Sequence, residues 1–271
     1  MDALRLDNPF PGGRSYLVSR LDSTQEEAKR LASRWEAEGG EPAFPPGSLV
    51  AADEQTAGRG RIPGRAWSAE EGRNLLFTLR LPPGAVALGA LPLRIGAAVC
   101  RAAAALAGST GAAYPRPPRL KWPNDLMLGD AKACGVLCEA GSLGVFAGIG
   151  VNCNQRSFPP ELRGRATSLA LELGREVDRW ALLALILAEI RASLEDRSWA
   201  EGAARLLWRL GDEVSFVPGA APEPGREPEP IRARLAGIDE RGALILESSD
   251  GKAEAYFAGE LRAPTGSRIE S

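Results

Sequence analysis

The chain contains no histidine. That absence excludes Ser-His-Asp and Cys-His nucleophilic machinery and any His-ligated metal. An enzyme of this composition must work by positioning and electrostatics, with lysine, arginine and carboxylates as its charged tools. Cysteine is scarce as well. Cys100, Cys134, Cys138 and Cys153 lie mostly in apolar, strand-like or helix-like surroundings and form no Cys-x-x-Cys pair. They read as reduced, buried thiols of a cytoplasmic protein. An excess of either charge is also missing. The 33 basic and 35 acidic residues leave a formal net charge of -2, with no global field favouring nucleic acid. No apolar run reads as long enough to span a bilayer, and the N-terminus lacks the basic and then apolar pattern of a secretion signal. No segment repeats.

What is present is concentrated in two clusters. In the first, Gly58, Gly60 and Gly64 are interleaved with Arg59, Arg61 and Arg65, and Trp67 closes the run. Glycine lets a backbone approach a ligand closely. Arginine supplies a permanently charged fork of donors suited to carboxylates and phosphates. Such a loop suits the holding of a small anion, although a bare Gly-Arg run also reads as a solvated surface turn. The second cluster is Lys121, Trp122, Pro123, Asn124 and Asp125, followed by Lys132, Gly135, Leu137 and Glu139.

The hydrophobic pattern places both clusters in a mixed fold. Helices are predicted over 24–38, 92–107, 177–194 and 200–208, the first capped by Asp22 or Ser23. Strands are predicted over 48–52, 74–81, 126–128, 132–139 and 145–151, with another beginning at Leu120 and ended by Pro123. Turns fall at Gly129-Asp130 and Gly141-Ser142. After Gly211 the composition shifts to short strands over 213–217, 231–238, 243–247 and 253–257, with a hairpin turn at 239–242. A proline-rich stretch, 218–230, separates the first two of these and reads as an irregular loop. Four short strands in so few residues suggest a small β-barrel. The expected fold class is therefore α+β: a mixed, largely antiparallel sheet flanked by helices over 1–210, and a small C-terminal β-barrel over 211–271.

Taken together, the two clusters resemble the biotin protein ligases, also called biotin–acetyl-CoA-carboxylase ligases. The shared pattern is a Gly-Arg-Gly-Arg loop, a Lys-Trp-Pro-Asn-Asp segment, a lysine leading a Gly-hydrophobic-Leu-x-Glu strand, and a Gly-Ile-Gly-hydrophobic-Asn segment. The last is met here by Gly148, Ile149, Gly150, Val151 and Asn152. Ser23, Thr24 and Gln25 look like the family's first ligand-binding turn. The resemblance runs from about Leu21 to about Glu260, and five motifs in order make it specific. It implies two steps: biotin and ATP give biotinyl-AMP and pyrophosphate, and biotin then passes to one lysine of a biotin carboxyl carrier protein. Acyl adenylation suits a chain without histidine. The carboxylate is already a nucleophile, so the step needs relief of repulsion between anions. Fixed lysine and arginine side chains, with Mg2+ on the polyphosphate, supply that relief. A lipoate or octanoate transferase of the same fold, or a silent regulator that binds biotinyl-AMP, are the alternatives. Only Met1 to Arg20 precede the resemblance, so no DNA-binding domain and no nucleic-acid partner are expected, and the apolar pattern gives no membrane partner either.

The resemblance also implies roles. Lys132 bridges the biotin carboxylate and the α-phosphate, and Arg59 and Arg61 contact the intermediate's carboxyl and phosphate groups. Ser23, Thr24, Gln25 and Gln55 serve the ureido end of biotin, with a helix N-cap as a second reading of Ser23. Gly60 and Gly135 line the biotin site. Trp67 either lies along the ligand or belongs to the core. Asp125 orients the acceptor lysine and draws off its proton, or sits in a structural turn. Asn124 and Asn152 line the adenylate site, and Arg65 faces the triphosphate. Three features depart from the family, one being that Ser68, Ala69, Glu70 and Glu71 stand in place of a Ser-Pro-Pro-like segment. Ile62 and Pro63 lengthen the arginine loop by one residue. The segment 156–168 has no tryptophan where some members stack one on adenine, so an aliphatic or backbone contact is expected there instead.

Overall fold

The structure is a computed structural model that describes residues 1–39, 43–62, 64, 66–84, 87–219 and 229–263. In chain order it builds β1 (Asp2–Ala3), β2 (Ser15–Leu21), α1 (Thr24–Glu38), β3 (Leu49–Gln55), β4 (Leu75–Arg80) and α2 (Leu91–Ser109). Next come β5 (Arg119–Lys121), β6 (Asp125–Leu128), β7 (Ala131–Gly141), β8 (Gly144–Val151), α3 (Leu169–Leu173), α4 (Arg179–Glu195) and α5 (Trp199–Ala204). The chain then adds β9 (Glu213–Pro218), β10 (Ile231–Ile238), β11 (Leu244–Glu247), β12 (Ala253–Tyr256) and β13 (Gly259–Arg262).

The first eight strands form one sheet in the order β1-β2-β3-β4-β8-β7-β6-β5. Only β2 and β3 run parallel, so the sheet is mixed and largely antiparallel, as expected. Residues alternate across its two faces. Val50 and Phe146 face α1 and pack with Ala28, Leu31, Ala32 and Phe44. Leu49, Ala51, Leu75, Phe77, Leu79, Ala147 and Val151 face the other way, into a core shared with α2 and α4. Helix α1 packs chiefly on the β3, β4 and β8 part of its face and reaches β7 at Glu139, which Lys29 meets at 2.6 Å. The remainder of that face, over β6 and β7, is free to hold a site.

Several boundaries moved for local reasons. The long helix starts at Arg179 because Asp178 caps it, its carboxylate accepting from the Trp180 and Ala181 amides at 2.9 and 3.1 Å. The predicted helix over 200–208 stops at Ala204, because Leu206 and Trp208 pair with the Leu120 backbone at 2.8 and 2.9 Å. Strands β1, β2 and β13 and the short helix α3 were not anticipated. Helix α2 corrects the reading on apolar runs, since Leu88–Ser109 is long and apolar enough to cross a bilayer. It is instead the central helix of the core, packed by α4, α5 and strands β5 to β7.

The C-terminal strands correct a second expectation. They form an open antiparallel sheet, β12-β11-β10-β9-β13, rather than a closed barrel. The sheet curls about Phe216. Tyr256, ending β12, packs on that ring at 4.8 Å, and Gly259, opening β13, lies directly against it. The two edges thus converge on a side chain, and no ladder joins them. The sheet is fixed to the rest of the chain by Trp122, whose indole donates to the Gly242 carbonyl at 3.0 Å and meets Phe216 edge-on at 6.0 Å.

The cysteines are free and largely buried. Burial pushes the Cys100, Cys138 and Cys153 thiols up to about 12, and that of Cys134 well above its ordinary value. In the folded protein at mildly alkaline pH, a thiol-reactive colour reagent should therefore modify none of them within minutes. All four should titrate after unfolding in guanidinium, and rapid reaction of any in the native state would contradict this packing.

Candidate active site

Three glycines open the uncovered part of the sheet face. Gly148 and Gly150 in β8, and Gly135 in β7, share that face, with Gly135 and Gly150 directly paired. A Cβ on Gly148 would stand 2.4 Å from Gln25 Oε1, and one on Gly150 would stand 2.7 Å from the Trp67 ring. Bare backbone is therefore what lets a glutamine and an indole lie flat on the sheet.

The polar end of this floor is built by the start of α1. Ser23 caps the helix by accepting from the Gln25 amide at 3.2 Å, and its side chain also lines the cavity above the glycines. Gln55, at the end of β3, accepts from the Thr24 amide at 2.7 Å and from its hydroxyl at 3.0 Å. Thr78 Oγ1 lies 2.9 Å from Thr24 Oγ1 and 3.2 Å from Gln25 Oε1. Ser23, Thr24 and Gln25 are each almost fully buried. Such a network holds its donors and acceptors in fixed directions before any ligand arrives.

Lys132 reaches the same face by a break in register. Asp125 pairs with Gly135 and Leu126 with Cys134, but Met127 then pairs with Lys132, leaving Ala133 as the extra residue of a bulge. Strict alternation would send Lys132, three residues from Gly135, to the opposite face. The bulge reverses that parity. The Lys132 ammonium consequently lies 2.7 Å from Asp125 Oδ1 and 5.5 Å from the centre of the Trp67 ring. Asn124 is held beside them by paired bonds with Val136, its Nδ2 donating to the Val136 carbonyl at 2.8 Å.

The arginine loop folds over this floor as a narrow hairpin. Arg59 bridges to Ala66, and the Trp67 amide donates to the Gly58 carbonyl at 2.9 Å. The Arg59 guanidinium pairs with Glu26 in the first turn of α1. Arg61 turns the other way and donates to the Gly259 carbonyl of β13 at 3.3 Å. Arg65 and Pro63 lie outside the described residues.

Two spaces result. A cavity of about 60 Å3 lies over the glycines and is lined by Ser23, Thr24, Gln25, Gln55, Arg59, Gly60, Arg61, Trp67, Asn124, Lys132 and Gly135, among others. A chamber of about 450 Å3 adjoins it and shares Gly60, Arg61, Trp67, Asn124 and Lys132. Trp67 is the partition, and its indole nitrogen is buried without a hydrogen-bond partner among the described residues. Asp125 and Asn152 line the chamber but not the smaller cavity, and Asn152 Oδ1 is likewise buried and unpartnered among the described residues. The described residues predicted for the site thus converge on two adjoining spaces.

Among the chamber-wall residues that sequence reasoning missed are Lys121, Phe158, Arg165 and Glu260. Lys121 belongs to the quoted Lys-Trp-Pro-Asn-Asp motif and is paired directly opposite Asp125. Phe158 is the one aromatic between Asn152 and Ser168 and lines the chamber, so an aromatic face is available there beside the aliphatic or backbone contacts expected. Arg165 and Glu260 carried no local signal. They arrive through the Lys132–Ala166 bridge and through β13.

A cation fixed beside a carboxylate and a glycine floor, next to a roomier chamber, suits the joining of two anionic groups. Comparison with known sequences agrees. The biotin/lipoate A/B protein ligase family matches residues 19–155. The chain belongs to that family. Among curated relatives of this biotin/lipoate A/B protein ligase is the biotin–[acetyl-CoA-carboxylase] ligase of Paracoccus denitrificans. It is 34% identical over 266 residues, covering 90% of this chain and all of that protein. The bifunctional ligase/repressor BirA of Bacillus subtilis is 32% identical over 246 residues, 88% of this chain and 70% of the relative. Among solved structures, the biotin protein ligase of Aquifex aeolicus in complex with biotin and ATP superposes with a TM-score of 0.74 at 30% identity. That match covers 92% of this chain and 99% of the other.

The glycine floor makes a stability prediction. Gly150→Ala forces a methyl group into the Trp67 ring and should destabilise the protein by about 1–3 kcal/mol, as overpacking does. Trp67→Ala should relieve most of that penalty in the double variant. Denaturant unfolding of the four proteins measures the coupling, and additive effects would mean that the indole does not rest there.

Proposed function

We propose that this chain is an ATP-dependent biotin ligase, which activates biotin as biotinyl-5'-AMP and transfers it to a lysine of a biotin carboxyl carrier protein. The observation that carries this reading is Lys132, delivered by the bulge to the junction of the two spaces. Biotin's ureido ring fits the polar end formed by Ser23, Thr24, Gln25 and Gln55, with its apolar body along Gly135, Gly148 and Gly150. Cavities that admit small molecules run to about 300–1,000 Å3. A ligand therefore enters the smaller space by displacing Trp67, which then lies along it. Asn152, with its spare carbonyl oxygen, and Phe158 suit the adenine ring, as an acceptor for the amino group and as an apolar face.

In the first step a biotin carboxylate oxygen attacks the α-phosphorus of ATP, and pyrophosphate departs with the electron pair of the broken P–O bond. Lys132, Arg59 and Arg61 reduce repulsion between the approaching anions and stabilise charge on the phosphorus oxygens. ATP enters as its Mg2+ chelate, the ion travelling with the polyphosphate as part of the substrate. Arg65 is assigned to the same triphosphate. In the second step the acceptor ammonium gives a proton to Asp125. The freed amine attacks the biotinyl carbonyl, and AMP leaves as the C–O bond breaks. The nitrogen's second surplus proton passes to water.

Relatives named as biotin ligases, and a structural neighbour holding biotin and ATP, favour this reading over a lipoate or octanoate transferase or a silent regulator. A cytoplasmic location, and a division into a catalytic unit over 1–210 and a smaller unit over 211–271, complete the proposal. The test is biotin-dependent exchange of pyrophosphate into ATP. Exchange should require biotin, fail with lipoate or octanoate, and fall about 10²–10³-fold in Lys132→Gln, the range for losing one preorganised charge stabiliser. No exchange by the folded protein with Mg2+ present would refute the ligase.

A further inference from the structure

Asp125 has two lysines within its reach, and the reaction above needs one of them elsewhere. Lys132 is its ion-pair partner at 2.7 Å. Once biotin and ATP are bound, that ammonium is required between the carboxylate and the α-phosphate. Asp125, about four-fifths buried at its side chain, would then face the transfer step without a cation. Lys121 stands on the other side. It is the Cα partner of Asp125 across the β5–β6 ladder, so the two side chains share a face, and both line the larger chamber. Its ammonium rests 5.2 Å from the centre of the Trp208 ring and has no ion-pair partner among the described residues.

We propose that Lys121 is the positioning residue of the transfer step: it takes over Asp125 when Lys132 turns to the substrates, holding the carboxylate charged and aimed at the incoming lysine. The inference rests on the ligase reading and deepens it. Burial pulls the Lys121 ammonium below its ordinary value, opposed by Asp125 and Glu260 and reinforced by Lys132 and Arg165. A cation so poorly solvated gains by closing on a carboxylate that has just lost its partner. The indole of Trp208 holds the stem in place meanwhile. That indole is itself fixed by donating to the Gly129 carbonyl at 3.0 Å and to Asp130 at 3.2 Å. One carboxylate between two lysines can thus serve both half-reactions: paired with Lys132 before adenylation, and with Lys121 after it.

The experiment separates the half-reactions in Lys121→Met, Lys121→Arg and Asp125→Asn. Pyrophosphate exchange reports adenylation. Single-turnover transfer from preformed biotinyl-AMP to a carrier domain reports the second step. Transfer in Lys121→Met should fall at least tenfold further than exchange does, in its rate constant rather than in the carrier concentration at half-saturation. Lys121→Arg, which keeps the cation, should recover part of it. The Met variant combined with Asp125→Asn should be no slower than Asp125→Asn alone. Equal losses in both half-reactions, an unchanged transfer rate, or additive effects in the double variant would each overturn the proposal. If Lys121→Met fails to fold, Lys121→Arg and Lys121→Gln carry the same comparison, and an arginine variant no faster in transfer than the glutamine one overturns it too. Absence of exchange in the unmodified protein would refute the ligase reading instead, and so is distinguishable.

Discussion

The contact between Lys132 and Asp125 organises everything around it. An ammonium and a carboxylate 2.7 Å apart, each largely withdrawn from water, are a demanding arrangement. Removing two charges from solvent opposes the attraction between them, and the balance is favourable only where geometry is fixed. Here the backbone fixes it. Lys132 emerges at the bulge between β6 and β7, and its own amide and carbonyl are tied to Arg165 and Thr167 at 2.9 Å each. Asp125 opens β6 directly after Asn124, which is clamped to Val136. The backbones on both sides are thus held in place, so the pair is available as a preset electrostatic device.

The glycine floor and the arginine loop depend on that point. Because Gly135 and Gly150 carry no side chains, Trp67 lies against the sheet and meets the Lys132 ammonium with the face of its ring. A cation over an indole is attracted by the ring's quadrupole, which strengthens as water is excluded. The loop is therefore drawn onto the floor by this lysine. Arg59 and Arg61 point in different directions. One is tied to α1 through Glu26 and the other to β13 through Gly259, so closing the loop links the helix that forms the polar end to the C-terminal sheet.

That sheet is more than an appendage. The Trp122 indole bonds to the Gly242 carbonyl, and the ring packs on Phe216, while the neighbouring Lys121 and Asp125 line the chamber. One short segment therefore anchors the C-terminal strands with one residue and furnishes the site with its neighbours. Phe216, Leu235, Leu244 and Leu261 share a continuous core with the catalytic elements. A change at this junction is expected to reach chemistry and stability together, because the same few residues serve both.

Most residues of the candidate site were legible in the sequence because each is a chemical type that little else explains. Arginines alternating with glycines, a lysine before a glycine-led strand, and a polar triplet opening a helix are all local patterns. The helices over 24–38 and 92–107 were legible for the same reason, since apolar periodicity is local. Three matters were decided only by the tertiary structure. The bulge at Ala133 sets which face Lys132 occupies, and it exists only where β6 and β7 pair. The approach of Phe158, Arg165 and Glu260 to one chamber depends on contacts between segments far apart in the chain. The openness of the C-terminal sheet follows from two edge strands meeting on Phe216 instead of on each other. Composition and spacing name the tools, whereas parity, proximity and closure depend on partners that a single stretch of sequence does not contain.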